Sequence, residues 1–126
     1  MAIALDHIIL PVTDVGKSTR FYNRVLGLTP EPDALVRVSP TLVLQLMERP
    51  VPASYHLAFA LPTSEFAKTV ERLKAEAVPY GNNFDTVGTM TGPGKSHGSE
   101  KNAQCFYFRD PDGHMLEIMH YPNAET

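Results

Sequence analysis

The sequence has one cysteine, Cys105, and so cannot form an internal disulfide. This suits a reducing, cytoplasmic setting. No motif surrounds Cys105, which reads as a strand residue and not a nucleophile. There is also no excess of positive charge. The formal net charge is −3, which leaves no basic footprint for nucleic acid. No apolar run approaches the ~20 residues that a membrane helix needs. The apolar start, "MAIALDHIILPV", is short, is broken by Asp6 and His7, and has no basic segment before it. It is not expected to act as a signal peptide. Low-complexity tracts and linkers are missing. "GPGKSHGSE" (92–100) fails as a phosphate-binding loop, because that motif needs a glycine at the position of Thr89 and an apolar helix afterwards.

What is present is a repeat. "LVLQLMERP" (42–50) and "HMLEIMHYP" (114–122) are nearly one phrase, with Gln45 in the first copy where Glu117 stands in the second. "DHIILPVTD" (6–14) is answered by "YHLAFALPTS" (55–64), each an apolar strand with a histidine near its start. A helical stretch follows each. Asp14 is a suitable N-cap for 15–26 and Gly27 a suitable C-terminal stop. Thr63 or Ser64 is expected to cap 65–77. Short strand-like runs come next, and "DPDG" (110–113) predicts a hairpin turn between "CFYFR" and "HMLEIMHY". The chain therefore reads as one domain of 126 residues written as two βαβββ modules, about 1–50 and about 54–122. The one long irregular segment is 85–103, expected to be functional or mobile.

Side chains alternate across a strand. One face of each key strand is apolar and suits a helix. The other carries a single polar residue among apolar neighbours: His7 beside Ile9, Gln45 between Val43 and Met47, His56 beside Ala58, and Glu117 between Met115 and Met119. A polar group on such a wall costs free energy unless it is satisfied. Four of them at matching places in two repeats suit a shared ion. His114, just after the turn, and His120, out of phase with Glu117, are expected at the surface.

On "LDHIILPVTDVGKSTRFYNRVLGL", "YHLAFALPTSEFAKTVERLKAEAV" and "FYFRDPDGHMLEIMHY", the chain resembles the vicinal oxygen chelate superfamily. That group includes glyoxalase I, fosfomycin-resistance enzymes, extradiol dioxygenases and bleomycin-binding proteins. The resemblance implies an α+β fold in which two tandem βαβββ modules form a curved mixed sheet around a metal-binding cleft. It implies metal ligands at His7, His56 and Glu117, with Gln45 as an optional fourth, since an amide oxygen is a weaker donor than a carboxylate. The ion would be Fe, Mn, Ni or Zn, and two His plus a carboxylate with open positions is a set associated with Fe(II) oxygenases. Glu117 occupies the position that resembles the family's base. Tyr107, ten residues before Glu117, resembles a cleft tyrosine that hydrogen-bonds or donates a proton; the alternative is a half-buried strand tyrosine. The segment 85–103 is expected to be a lid in which Lys95, Ser96 and His97 reach an anionic group, or else a solvated loop. Ile9, Val43, Met47, Ala58 and Met119 would form apolar cleft walls.

The implied function is a divalent-metal enzyme acting on a small molecule that chelates through neighbouring oxygens, either a glyoxalase-like lyase or isomerase or a dioxygenase. The alternatives are a fosfomycin-type transferase and a drug-sequestering protein of the bleomycin-resistance kind. Ile9 stands where fosfomycin enzymes resemble one another in a threonine, and no arginine follows Glu117. A homodimer is expected, with no nucleic-acid or membrane partner.

Overall fold

The computed structural model describes residues 2–122. The chain divides between Ala53 and Ser54 into two compact units, each a mixed sheet with one helix, and among the described residues no helix is long and apolar enough to cross a membrane.

The first unit runs β1 (His7–Val12), α1 (Val15–Leu26), β2 (Thr29–Glu31), β3 (Leu35–Ser39) and β4 (Leu42–Glu48). Its sheet order is β1-β4-β3-β2, with β1 parallel to β4. Asp14 caps α1 as expected: its Oδ1 accepts from the Lys17 amide at 3.0 Å. Gly27 ends the helix at φ 70°, the left-handed conformation that glycine adopts without strain. Leu10, Val12, Leu44 and Leu46 are buried on one side of the sheet, and Tyr22, Val25 and Leu26 of α1 are buried with them. The odd-numbered residues of β1 and β4 share the other side. Ile9 lies opposite Gln45 and His7 opposite Val43.

The second unit runs β5 (His56–Ala60), α2 (Thr63–Ala75), β6 (Tyr80–Gly81), β7 (Gly94–Ser96), β8 (Ala103–Arg109) and β9 (Met115–His120). The order is β5-β9-β8, and both β6 and β7 pair with the outer edge of β8. The outermost strand is therefore broken, with residues 82–93 making an excursion between its two pieces. β7 falls inside the segment expected to be irregular. The helix starts two residues before the expected 65–77, and Pro62, not Thr63 or Ser64, is its N-cap. The Pro62 carbonyl accepts from Glu65 and Phe66, and no side-chain cap forms.

Leu116 and Ile118 on β9 and Phe108 on β8 are fully buried on the face that carries α2. Burial of each such side chain is worth about 1.5–3 kcal/mol. His120 belongs to this face too, and the expectation that it is a surface residue is wrong: it is 7% exposed. Its Nε2 lies 2.9 Å from Gln104 Oε1, its Nδ1 3.2 Å from Thr63 Oγ1, and its ring is 4.2 Å from that of Phe66. A neutral imidazole satisfies both contacts, donating to Gln104 and accepting from Thr63. Burial holds the His120 pKa below the usual histidine value. The folded state thus binds this proton less readily than the unfolded chain, so the contribution of His120 is intact above about pH 6.5 and is lost as pH falls through the lowered folded value. Wild type is expected to lose more unfolding free energy than His120→Gln between pH 7 and 5 in denaturant titrations. Parallel losses would mean that other groups carry the acid sensitivity.

Candidate metal centre

The pairing of three strands sets rows of side chains on the face opposite α2. Arg109, Met115 and His56 form one row, and Tyr107, Glu117 and Ala58 the next. Adjacent strands lie about 4.8 Å apart, so neighbours within a row can touch.

His56 reaches from its row into the next, and its Nε2 lies 3.3 Å from Glu117 Oε1. Its ring also stacks on Tyr107, with centroids 6.0 Å apart and planes 13° from parallel. Glu117 is only 3% exposed, and its second oxygen, Oε2, is buried with no hydrogen-bond partner. A buried carboxylate oxygen in that state carries a desolvation cost. An imidazole nitrogen on one oxygen and an orphaned second oxygen are donors suited to a divalent cation, so these residues fit the expected group. Among the described residues, no three His, Cys, Asp or Glu side chains are gathered at ligand spacing; His56 and Glu117 form a pair.

Burial, next hydrogen bonding with Glu117 and then the Glu117 charge push the Tyr107 phenol up to about 12, while hydrogen bonding with Ser96 works in the opposite direction. Burial, then the Glu117 charge and hydrogen bonding with Glu117 push the Cys105 thiol up to about 12. Both groups stay protonated at neutral pH. The phenol keeps its proton as a hydrogen-bond donor on this face, and the fully buried thiol is no nucleophile.

The position of His56 depends on the hairpin turn. Asp110 Oδ1 accepts from the backbone of Asp112 and of His114, each at 2.9 Å, which shapes the DPDG turn. His114 is fully buried, against expectation. Its Nδ1 accepts from the Tyr55 amide at 2.9 Å and its ring meets that of Tyr55 edge-on. Met115 N in turn donates to the Tyr55 carbonyl at 2.9 Å. These bonds fasten the residue immediately before His56 to the start of β9.

In the first unit, His7 is half-exposed, and its Nδ1 lies 2.8 Å from Asp6 Oδ2. With Nδ1–H donating to the carboxylate, Nε2 keeps its lone pair, the arrangement that orients metal-ligating histidines. Gln45 is half-buried on the same face, and Met47 on that face contacts Arg49. Ile9 is 40% exposed.

Other expected site residues fall in the second unit. Met119 is buried with Ala103 and Cys105. Residues 97–100 lie over this end of the face: a Cβ on Gly98 would stand 2.3 Å from Tyr121 Oη and 2.7 Å from Met119 Cε, and the Glu100 amide donates to Tyr121 Oη at 3.3 Å. His97 is exposed. The β7 register pairs Lys95 with Gln104 and Ser96 with Ala103, which turns Lys95 to the face of α2 and Ser96 to the face of Tyr107.

A groove of about 400 Å³ opens beside His56 and Tyr107, with Tyr55, Phe84, Arg109 and Met115 among its walls. Volumes in this range hold small molecules. Sequence reasoning missed these four residues. Arg109 had a readable signal, since it follows Tyr107 by two and must share its face. Phe84 had none, because its place depends on the path of the 82–93 excursion.

Two βαβββ units, the second with its outermost strand broken and presenting an imidazole and a buried carboxylate on its open sheet face, define an α+β fold of two modules. The chain belongs to the Glyoxalase/Bleomycin resistance protein/Dioxygenase superfamily, whose family model matches residues 4–118. It is 31% identical to a glutathione transferase, FosA, of Serratia marcescens, over 94% of this chain and 81% of that one. It is 28% identical to a virulence protein of Salmonella typhimurium, over 93% of this chain and 83% of that protein. Among solved structures, the oxidase ChaP-H1 is similar with a TM-score of 0.79 and 28% identity, covering 98% of this chain and 100% of that one.

Proposed function

We propose that the protein is a divalent-metal-dependent enzyme acting on a small molecule that presents two neighbouring oxygens, by lyase, isomerase or dioxygenase chemistry. The observation that carries this reading is Glu117, a buried carboxylate with one oxygen on His56 and the other without a partner. His56 and Glu117 would hold the ion; the other two expected ligands, His7 and the optional Gln45, belong to the first unit. When bound, an Fe, Mn, Ni or Zn ion would supply Lewis-acid stabilisation of developing negative charge on oxygen.

The chain's own residues do the rest. Tyr107, protonated at neutral pH, donates a hydrogen bond or a proton to a substrate oxygen. Glu117 is the carboxylate placed to accept a substrate proton. Tyr55, Phe84 and Met115 give the groove apolar walls beside these groups. Chains built of two such modules are expected to pair, so a homodimer is part of this reading; a clean monomer in light scattering would count against it.

The relation to a glutathione transferase favours a second reading, fosfomycin-type thiol addition. Ile9 and the lack of an arginine after Glu117 weigh against it. A drug-sequestering role needs no ligand pair and leaves the Glu117 oxygen unexplained.

Elemental analysis of protein purified without a metal-binding tag tests the reading. About one divalent ion per chain is expected, lost in His56→Ala. Retention of no ion after incubation with Fe, Mn, Ni and Zn in turn would overturn it.

A further inference from the structure

We propose that Arg109 makes this groove selective for anionic substrates: molecules whose carboxylate or phosphonate is set apart from their chelating oxygens by an apolar, ring-sized body. The inference rests on the function proposed above and names the substrate class of that site.

Arg109 lies in the same row as Met115 and His56, across two strand spacings, so its backbone is about 10 Å from that of His56. Both side chains line the one groove with the Met115 strand between them, so an anion bound at Arg109 is set apart from a group bound at His56. The guanidinium is anchored, since its Nη1 donates to the Gly113 carbonyl at 2.7 Å, the same oxygen that accepts from Ser54 Oγ at 3.0 Å. That bond uses one of five donors and orients the rest. No acid lines the groove, and among the described residues Arg109 has no carboxylate at ion-pair distance. An arginine held in place over apolar walls, without a counter-charge, is a receptor for a planar or tetrahedral oxyanion. Met115 lies between the two polar ends, and Tyr55 and Phe84 complete the apolar walls. Tyr55 and Phe84 are exposed aromatic rings that a flat apolar body would cover.

Three probes separate the terms: 4-methylcatechol, 3,4-dihydroxyphenylacetate and 3,4-dihydroxybenzylphosphonate. They share the vicinal oxygens and the ring and differ in charge and in the type of oxyanion. Calorimetric titration without oxygen, on ion-free and on Mn(II)-loaded protein, is expected to show at least one acid binding about tenfold or more tightly than 4-methylcatechol. The tighter acid identifies the oxyanion. Arg109→Gln is expected to remove the preference, and Arg109→Lys to keep part of it, which separates charge from folding. Equal affinities in wild type, a preference that survives Arg109→Gln, or no binding of any probe would overturn the proposal. If the protein takes up no divalent ion, the function proposed above fails on its own, and the preference for the acids is still read on the ion-free protein.

Discussion

Glu117→Gln is expected to act in opposite directions with and without metal. In ion-free protein it should raise the unfolding free energy by about 1 kcal/mol, because an amide replaces a buried charge whose Oε2 has no partner. The first unit already carries an amide in the equivalent slot, at Gln45, without a disrupted strand. In the presence of a divalent ion the order should reverse. Even outer-shell partners of a metal ligand carry about 10–100-fold in affinity, so loss of a carboxylate ligand should exceed about a hundredfold. Wild type at an ion concentration a hundred times its dissociation constant gains about 2.7 kcal/mol that the variant does not. Denaturant titrations with and without each ion provide the check. A variant less stable than wild type in both conditions would mean that Glu117 serves the fold and not an ion.

His114→Ala should cost about 3 kcal/mol, combining the lost packing of a fully buried ring with an unpaired Tyr55 amide. The effect should not stop at stability. Tyr55 precedes His56, so loosening that amide frees the start of β5 and misplaces the imidazole. Ion affinity should fall about 10–100-fold, in line with the loss of a group that orients a ligand. His114→Asn keeps an acceptor for the Tyr55 amide and should recover part of both quantities. Destabilisation without any change in ion affinity would reduce His114 to packing alone.

The histidines mark what the sequence made legible and what it did not. His56 and Glu117 were readable because strand alternation and the internal repeat are local signals, and the β5–β9 register sets both on one face. The two helices were readable for the same reason: Asp14 and Gly27 bound α1 where expected. His114 and His120 were misread as surface residues because their partners are remote. Tyr55 is 59 positions from His114, and Thr63 is 57 from His120. Nothing within a strand's length of either residue announces that contact. Position after a turn suggested exposure, whereas the turn in fact folds His114 inward onto β5. Lys95 shows a related limit. Its charge and its glycine-rich setting suggested a substrate contact, but β7 is only three residues long and its register, not its composition, turns Ser96 and not Lys95 toward Tyr107. The groove was hidden for another reason: Phe84 reaches it from an excursion whose path follows from close backbone packing, such as Gly94 against the Asn82 carbonyl, and not from any periodicity.

The excursion leaves the sheet after β6 and returns at β7 on the same edge of β8. Its two ends are pinned to a strand whose other edge is already paired with β9, so the spacing of Tyr107 and Glu117 does not depend on what lies between residues 82 and 93. This segment can be lengthened, shortened or exchanged while the polar pair stays in place. Because it also supplies Phe84, one wall of the groove can change apart from Tyr107 and Glu117. New preferences could be acquired by rewriting a dozen peripheral residues, at little risk to the chemistry.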